Sequence, residues 1–102
     1  MEYHKLVRDK IPSIIEAEGY VPCTKVLSTE AYLLALKEKL QEEVAEYLAD
    51  ASLEELADIL EVVYALAAAT DHSIEALEEA RALKHQTNGG FAEKIFLISK
   101  SK

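Results

Sequence analysis

The sequence predicts an all-α bundle of about four helices in a single domain over residues 1–102. Three observations carry that expectation. Apolar residues recur at intervals of three and four through most of the chain, the spacing of one face of a helix. Ser28, Ser52 and Ser73 stand just before three of these runs, where a hydroxyl can accept a hydrogen bond from an otherwise unpaired backbone N–H. Glycine (3) and proline (2) are scarce and fall at the margins of the periodic stretches.

Taken in order, the first helix is expected over Lys10 to Glu18. Asp9 is its N-cap, Pro12 lies in the first turn, where a missing N–H costs nothing, and Gly19 supplies the stop. Its apolar face is short: Ile11, Ile14 and Ile15. Tyr20 to Leu27 reads as extended chain, and Ile95 to Ile98 is a second short apolar run behind Gly89-Gly90. These two pieces admit a short β-ribbon beside the bundle. The second helix follows Ser28 and Thr29 and runs to about Ala49, with Leu33, Leu36, Leu40, Val44 and Tyr47 at helical spacing. Ser52 opens the third, which carries Leu56, Ile59, Leu60, Val63 and Leu66 and ends near Thr70. From Ile59 to Ala69 it is apolar on nearly every side, so most of its circumference should be buried. Ser73 opens the fourth, which stops at Thr87 or Asn88 before the glycine pair. The links Asp50-Ala51 and Asp71-His72 are short, which makes successive helices antiparallel neighbours.

Composition excludes several functions. The chain has 102 residues, half of them hydrophobic, and a formal net charge of −8. An acidic surface repels a nucleic-acid backbone and offers no basic helix to an anionic membrane. The longest uncharged apolar run, Val62 to Ala69, is far shorter than the ~20 residues that span a bilayer. The first residues, Met1 to Lys5, lack the apolar core of a secretory leader, so a cytoplasmic location is expected. A single cysteine, Cys23, excludes an internal disulfide and a cysteine-rich zinc site. Short helical chains often complete their core by association, which makes a homo-oligomer the expectation.

Four carboxylates break the amphipathic pattern. Glu43 shares a row with Leu36, Leu40 and Tyr47, and Glu46 is one turn further on the same side. Glu55 projects between Val62 and Leu66, and Asp58 lies four residues before Val62. Each pair is spaced i,i+3, which sets two carboxylates on adjacent turns ~5–6 Å apart at Cβ. Across a short antiparallel link the pairs can face each other. Two such charges 5 Å apart repel by about 3 kcal/mol at an effective dielectric of ~20. A pocket of them is forced to take up protons or a cation. Oxygen ligands without His or Cys select magnesium, manganese or calcium over zinc. The competing structural reading is a plain acidic bundle, in which Ser52 and Glu55 form a capping box; that box explains Glu55 but not Asp58.

The string Glu42-Glu43-Val44-Ala45-Glu46, followed by Glu55-Leu56-Ala57-Asp58, resembles the EExxE…ExxD signature of the all-α nucleoside triphosphate pyrophosphohydrolases, the MazG-like superfamily. The flanking strings Lys5-Leu6-Val7-Arg8-Asp9-Lys10-Ile11-Pro12 and Gly89-Gly90-Phe91…Ile95-Phe96-Leu97 are similar to those of a compact phosphoribosyl-ATP pyrophosphohydrolase-like subgroup, so the likeness covers nearly the whole chain. The gap between the acidic motifs is short for the superfamily, and Asn88 stands where many relatives have an arginine.

The resemblance implies a homodimer or homotetramer with magnesium, or manganese in its place, at Glu43, Glu46, Glu55 and Asp58. The reaction would split a nucleoside triphosphate into monophosphate and pyrophosphate, as in the clearing of non-standard nucleotides. Glu43 is the candidate general base, with Glu46 beside it, because an apolar-edge position raises a carboxylate's pKa. Lys5, Arg8 and Lys10 at the first helix are expected to bind phosphate. Arg81 and Lys84, in the row of Ile74 and Leu77, are expected to join them from the interior side of the last helix. Hydrolysis of phosphoribosyl-ATP in histidine biosynthesis is the alternative within the family. A non-catalytic helical interaction module is the alternative outside it.

Overall fold

The structure, a computed structural model, describes residues 3–102; Met1 and Glu2, with which the stretch read for a secretory leader begins, lie outside the described residues. Four helices follow in order: α1 (Ile11–Ala17), α2 (Thr29–Asp50), α3 (Leu53–Ala69) and α4 (Ile74–Asn88). The fold is all-α, and no strand occurs among the described residues. No described helix is long and apolar enough to cross a membrane.

The three serine caps form as the sequence implies. Ser28, Ser52 and Ser73 each accept a hydrogen bond from the backbone N–H three residues on, at 3.2, 3.2 and 3.0 Å. The first helix begins differently from the expectation. Lys10, in helical geometry, occupies the cap position, and no side chain caps α1. Asp9 therefore lies one residue too early to serve. At the other end Gly19 adopts φ 93°, and the N–H groups of Gly19 and Tyr20 donate to the carbonyls of Glu16 and Ile15. That pair of bonds is the Schellman closure, which needs the left-handed conformation glycine adopts without strain.

Packing centres on the α2–α3 hairpin, with a lesser approach of α4 to α3 and no close backbone approach between any other two helices. Leu36 on α2 and Val62 on α3 are its buried apolar residues. The turn between these helices is only Ala51 and Ser52. Ala51 sits in the left-handed region (φ 52°, ψ 37°), and its N–H donates to the Tyr47 carbonyl at 2.6 Å. The tight reversal sets the register in which the end of α2 faces the start of α3.

Away from the hairpin the chain is open. The expected ribbon does not form: residues 20–27 and 95–98 are without strand pairing, and Val21, Val26 and Ile95 to Ile98 are exposed. A two-stranded ribbon of this length buries too little to offset the entropy of closing it. The burial expected from Ile59 to Ala69 is met in part: Val62 is buried and most of its neighbours are half-buried, but Leu60 stays exposed, as do Leu53 and Leu56 in the turns before it.

Ala51 supplies a direct test of the turn. A left-handed alanine is strained by ~1–2 kcal/mol, part of which glycine gives back through the entropy of the unfolded chain. Ala51→Gly is expected to raise stability by about 0.5–1 kcal/mol in urea unfolding with an unchanged slope; a loss of stability would contradict the turn geometry.

Candidate metal centre

The hairpin brings three of the four singled-out acids together. One carboxylate oxygen each from Glu43, Glu55 and Asp58 lies within 4.8 Å of the others. The cause is local. Glu43 stands seven residues after Leu36, two full turns along the buried line of α2. Glu55 and Asp58 occupy the first turns of α3, directly after the reversal, on the side of Val62. Glu43 is the one charged side chain among the described residues that is buried.

Glu46, the fourth expected ligand, is exposed and is not among the three acids that converge. Three residues at ~100° each turn it about 60° off the line of Glu43. It still lies beside the site, because both its charge and a side-chain hydrogen bond to it raise the Glu43 carboxyl's affinity for a proton.

Ser52 and Glu55 form only half of a capping box. The hydroxyl binds the Glu55 N–H, but the Glu55 carboxylate makes no return bond, and its Oε2 is buried with no hydrogen-bond partner. Glu43 Oε2 is buried and unpartnered in the same way. Two orphaned carboxylate oxygens beside a third acid are a costly arrangement unless a cation completes it. The donors are all hard oxygens, so the residues fit magnesium or manganese.

Cations of the chain itself gather at the rim. An Arg8 guanidinium nitrogen donates to Asp58 Oδ1 at 2.6 Å, tying the segment before α1 to α3. Lys39 lies 3.4 Å from Glu43 Oε1 and 3.4 Å from Glu42 Oε1, and Lys5 is 3.9 Å from the same Glu42 oxygen. Of the cations expected at the first helix, Arg8 thus reaches an acid of the cluster and Lys5 only its neighbour Glu42. Lys39 was not foreseen, although its i,i+4 relation to Glu43 was legible in the spacing. The remaining expected cations are elsewhere. Lys10 is exposed at the start of α1 and makes no ion pair among the described residues. Arg81 pairs with Glu78 of its own helix at 2.6 Å, and Lys84 is exposed. Leu77 is the only half-buried residue of α4, and everything after it is exposed, so its row does not reach the interior of this chain.

Burial holds the Glu43 carboxyl above its ordinary value of 4.5, reinforced by Glu46 and opposed by Lys39. The folded protein therefore binds this proton more tightly than the unfolded chain does. Its contribution to stability is full at pH below the ordinary value and is lost as pH rises through the elevated folded one. At neutral pH the ionised group opposes folding.

Glu43→Gln, uncharged in both states, is thus expected to melt above the parent at pH 7 in metal-free buffer. The difference should narrow as the pH falls toward 4.5 and Glu43 takes up its proton. The same substitution should abolish any rise in melting temperature on adding magnesium. A parent that melts above Glu43→Gln in chelator at pH 7 would contradict the burial of an unbalanced charge.

No family model and no solved structure matches the chain. An uncharacterized protein of Mycolicibacterium smegmatis (strain ATCC 700084 / mc(2)155) is 50% identical to it over 54 residues, covering 49% of this chain and 55% of that protein. The chain thus spans about half the length of the curated relative it matches.

Proposed function

We propose that this chain is a magnesium-dependent nucleotide pyrophosphohydrolase that works in the cytoplasm as a homo-oligomer, splitting a nucleoside triphosphate into monophosphate and pyrophosphate. The observation that carries the reading is the convergence of Glu43, Glu55 and Asp58 within 4.8 Å, with two of their oxygens buried and unpartnered. The likeness of the acidic motifs and flanking strings to the MazG-like superfamily supports it. Arg8 and Lys5 at the rim support it too, because a polyphosphate bound to an acidic centre needs cations around its outer oxygens.

Glu43, Glu55 and Asp58 would hold the metal, with Glu46 one turn away at the edge. A metal held there would supply Lewis-acid polarisation of the phosphate and acidify water. The chain's own residues supply the rest. The oxygen of a water joins phosphorus at one side of the α–β bridge, the bond from that phosphorus to the bridging oxygen breaks, and the water's proton passes to a carboxylate. Glu43 suits that role, since burial raises its affinity for a proton toward the working range. Arg8 can exchange its half-exposed bond to Asp58 for a phosphate oxygen at small cost, because ion pairs so open to water contribute ~1 kcal/mol or less. Lys39 keeps the Glu43 carboxylate oriented from the preceding turn of α2.

The test is pyrophosphate release from a panel of nucleoside triphosphates, with phosphoribosyl-ATP included, in magnesium and in chelator. Release should require magnesium, and should fall by roughly 100-fold or more in Glu43→Gln and Asp58→Asn, the range for loss of a proton acceptor or a charge-bearing ligand. Arg8→Ala should chiefly raise KM. Absence of release from every substrate, or variants as fast as the parent, would overturn the proposal; phosphoribosyl-ATP alone being cleaved would assign the histidine-pathway reaction instead.

A further inference from the structure

One chain leaves more surface uncovered than a finished fold of its mass. Its accessible surface is 9405 Å², whereas folded monomers of 11.3 kDa expose about 5,700 Å² by the scaling of surface with mass. The excess of about 3,700 Å² is several times the ~800 Å² that a standard interface takes from each partner. The radius of gyration is 18.2 Å, against about 13 Å for a compact chain of 100 residues.

Part of this excess has a definite place. Beyond Gly89-Gly90, residues 91–102 form no helix and no strand. Phe91 is 99% exposed, Ile95 85%, Phe96 88% and Ile98 90%, so this arm touches little of its own chain. Consecutive apolar residues in extended chain point alternately to opposite sides, and burying Ile95 to Ile98 therefore needs surface on both. The arm also differs in charge from the chain that bears it. It carries Lys94, Lys100 and Lys102 against Glu93 alone, in a sequence of net charge −8.

The first half of α3 has the complementary character. Leu53, Leu56 and Leu60, at intervals of three and four, line up as an exposed apolar stripe. Glu54, Glu55, Asp58 and Glu61 accompany them, and α3 contains no lysine or arginine.

We propose that residues 91–102 are an arm that seats on the α3 stripe of a second copy of this chain, joining copies by exchange of arms. The apolar residues of the arm cover Leu53, Leu56 and Leu60, and its lysines face Glu54 and Glu61, the exposed acids of α3 that take no part in the cluster. Two copies of net charge −8 repel as wholes, and a basic arm laid on an acidic helix turns the local contact into attraction. The occupant is another copy because the uncovered area is more than enough for a permanent subunit contact and the basic arm complements the acidic helix in charge. The inference goes beyond the proposed chemistry and stands without it, since it invokes neither a bound cation nor a substrate.

Disulfide trapping between full-length chains tests it, with exposed Cys23 first replaced by serine. One chain carries Leu56→Cys and the other Phe96→Cys; mixing and mild oxidation should yield a covalent heterodimer on a non-reducing gel. A chain carrying both substitutions should form linked dimers or larger species. A chain closed on itself as a monomer would show the arm folding back in cis, and absence of any link would show that it seats elsewhere; either overturns the proposal. In parallel, sedimentation equilibrium of Phe96→Asp should show association weakened about 100-fold at unchanged helix content. Sedimentation identical to the parent would overturn the proposal as well. Pyrophosphate release is not a readout in either experiment, so the outcome bears on the arm alone.

Discussion

A carboxylate held on the buried line of a helix, two turns beyond Leu36, is the constraint from which the rest of the molecule can be read. Glu43 is desolvated, and it shares its surroundings with Glu55 and Asp58 across a two-residue turn. Hydrophobic packing of Leu36 and Val62 draws α2 and α3 together, and in doing so it forces acids toward acids. The hairpin thus works against its own electrostatics at neutral pH. Arg8 and Lys39 relieve part of that strain, but they leave one oxygen of Glu43 and one of Glu55 without a partner. An arrangement that a bundle built only for stability has no reason to keep becomes intelligible when the acids are seen as a seat for a hard cation.

Much of this was legible in the residues. The serine caps and the three-and-four spacing place α2, α3 and α4 almost to the residue, because both act within a few positions along the chain. The convergence of Glu43 with Glu55 and Asp58 was legible too, from the shortness of the expected Asp50-Ala51 link, which the structure places one residue later at Ala51-Ser52. The exclusion of Glu46 was not. Whether a side chain 60° off the buried line joins a cluster or turns to water is decided by how closely the helices approach, and periodicity carries no distance. For the same reason Arg81 and Lys84 were expected near the interior. Their row on α4 is apolar in pattern, yet α4 parts from α3 after Leu77, and a lone sequence does not say how far two helices stay in contact.

The extended segments teach a related lesson. Residues 20–27 and 95–98 have the composition of strands, and an apolar run must be covered by something. Periodicity does not say whether the cover comes from the same chain. The long, open outline of 64 × 31 × 22 Å and the exposed stripe of Leu53, Leu56 and Leu60 on the first half of α3 point to cover from outside it. On this view the acidic hairpin and the arm divide the work: one concentrates charge, the other joins the subunits that carry it.

The most direct measurement of the central claim is a titration of the metal-free protein with manganese, followed by the electron paramagnetic resonance signal of the free ion. The account predicts a saturable loss of that signal, reversed by excess magnesium and absent in Asp58→Asn. A manganese signal as strong with the parent protein as in buffer alone would contradict it.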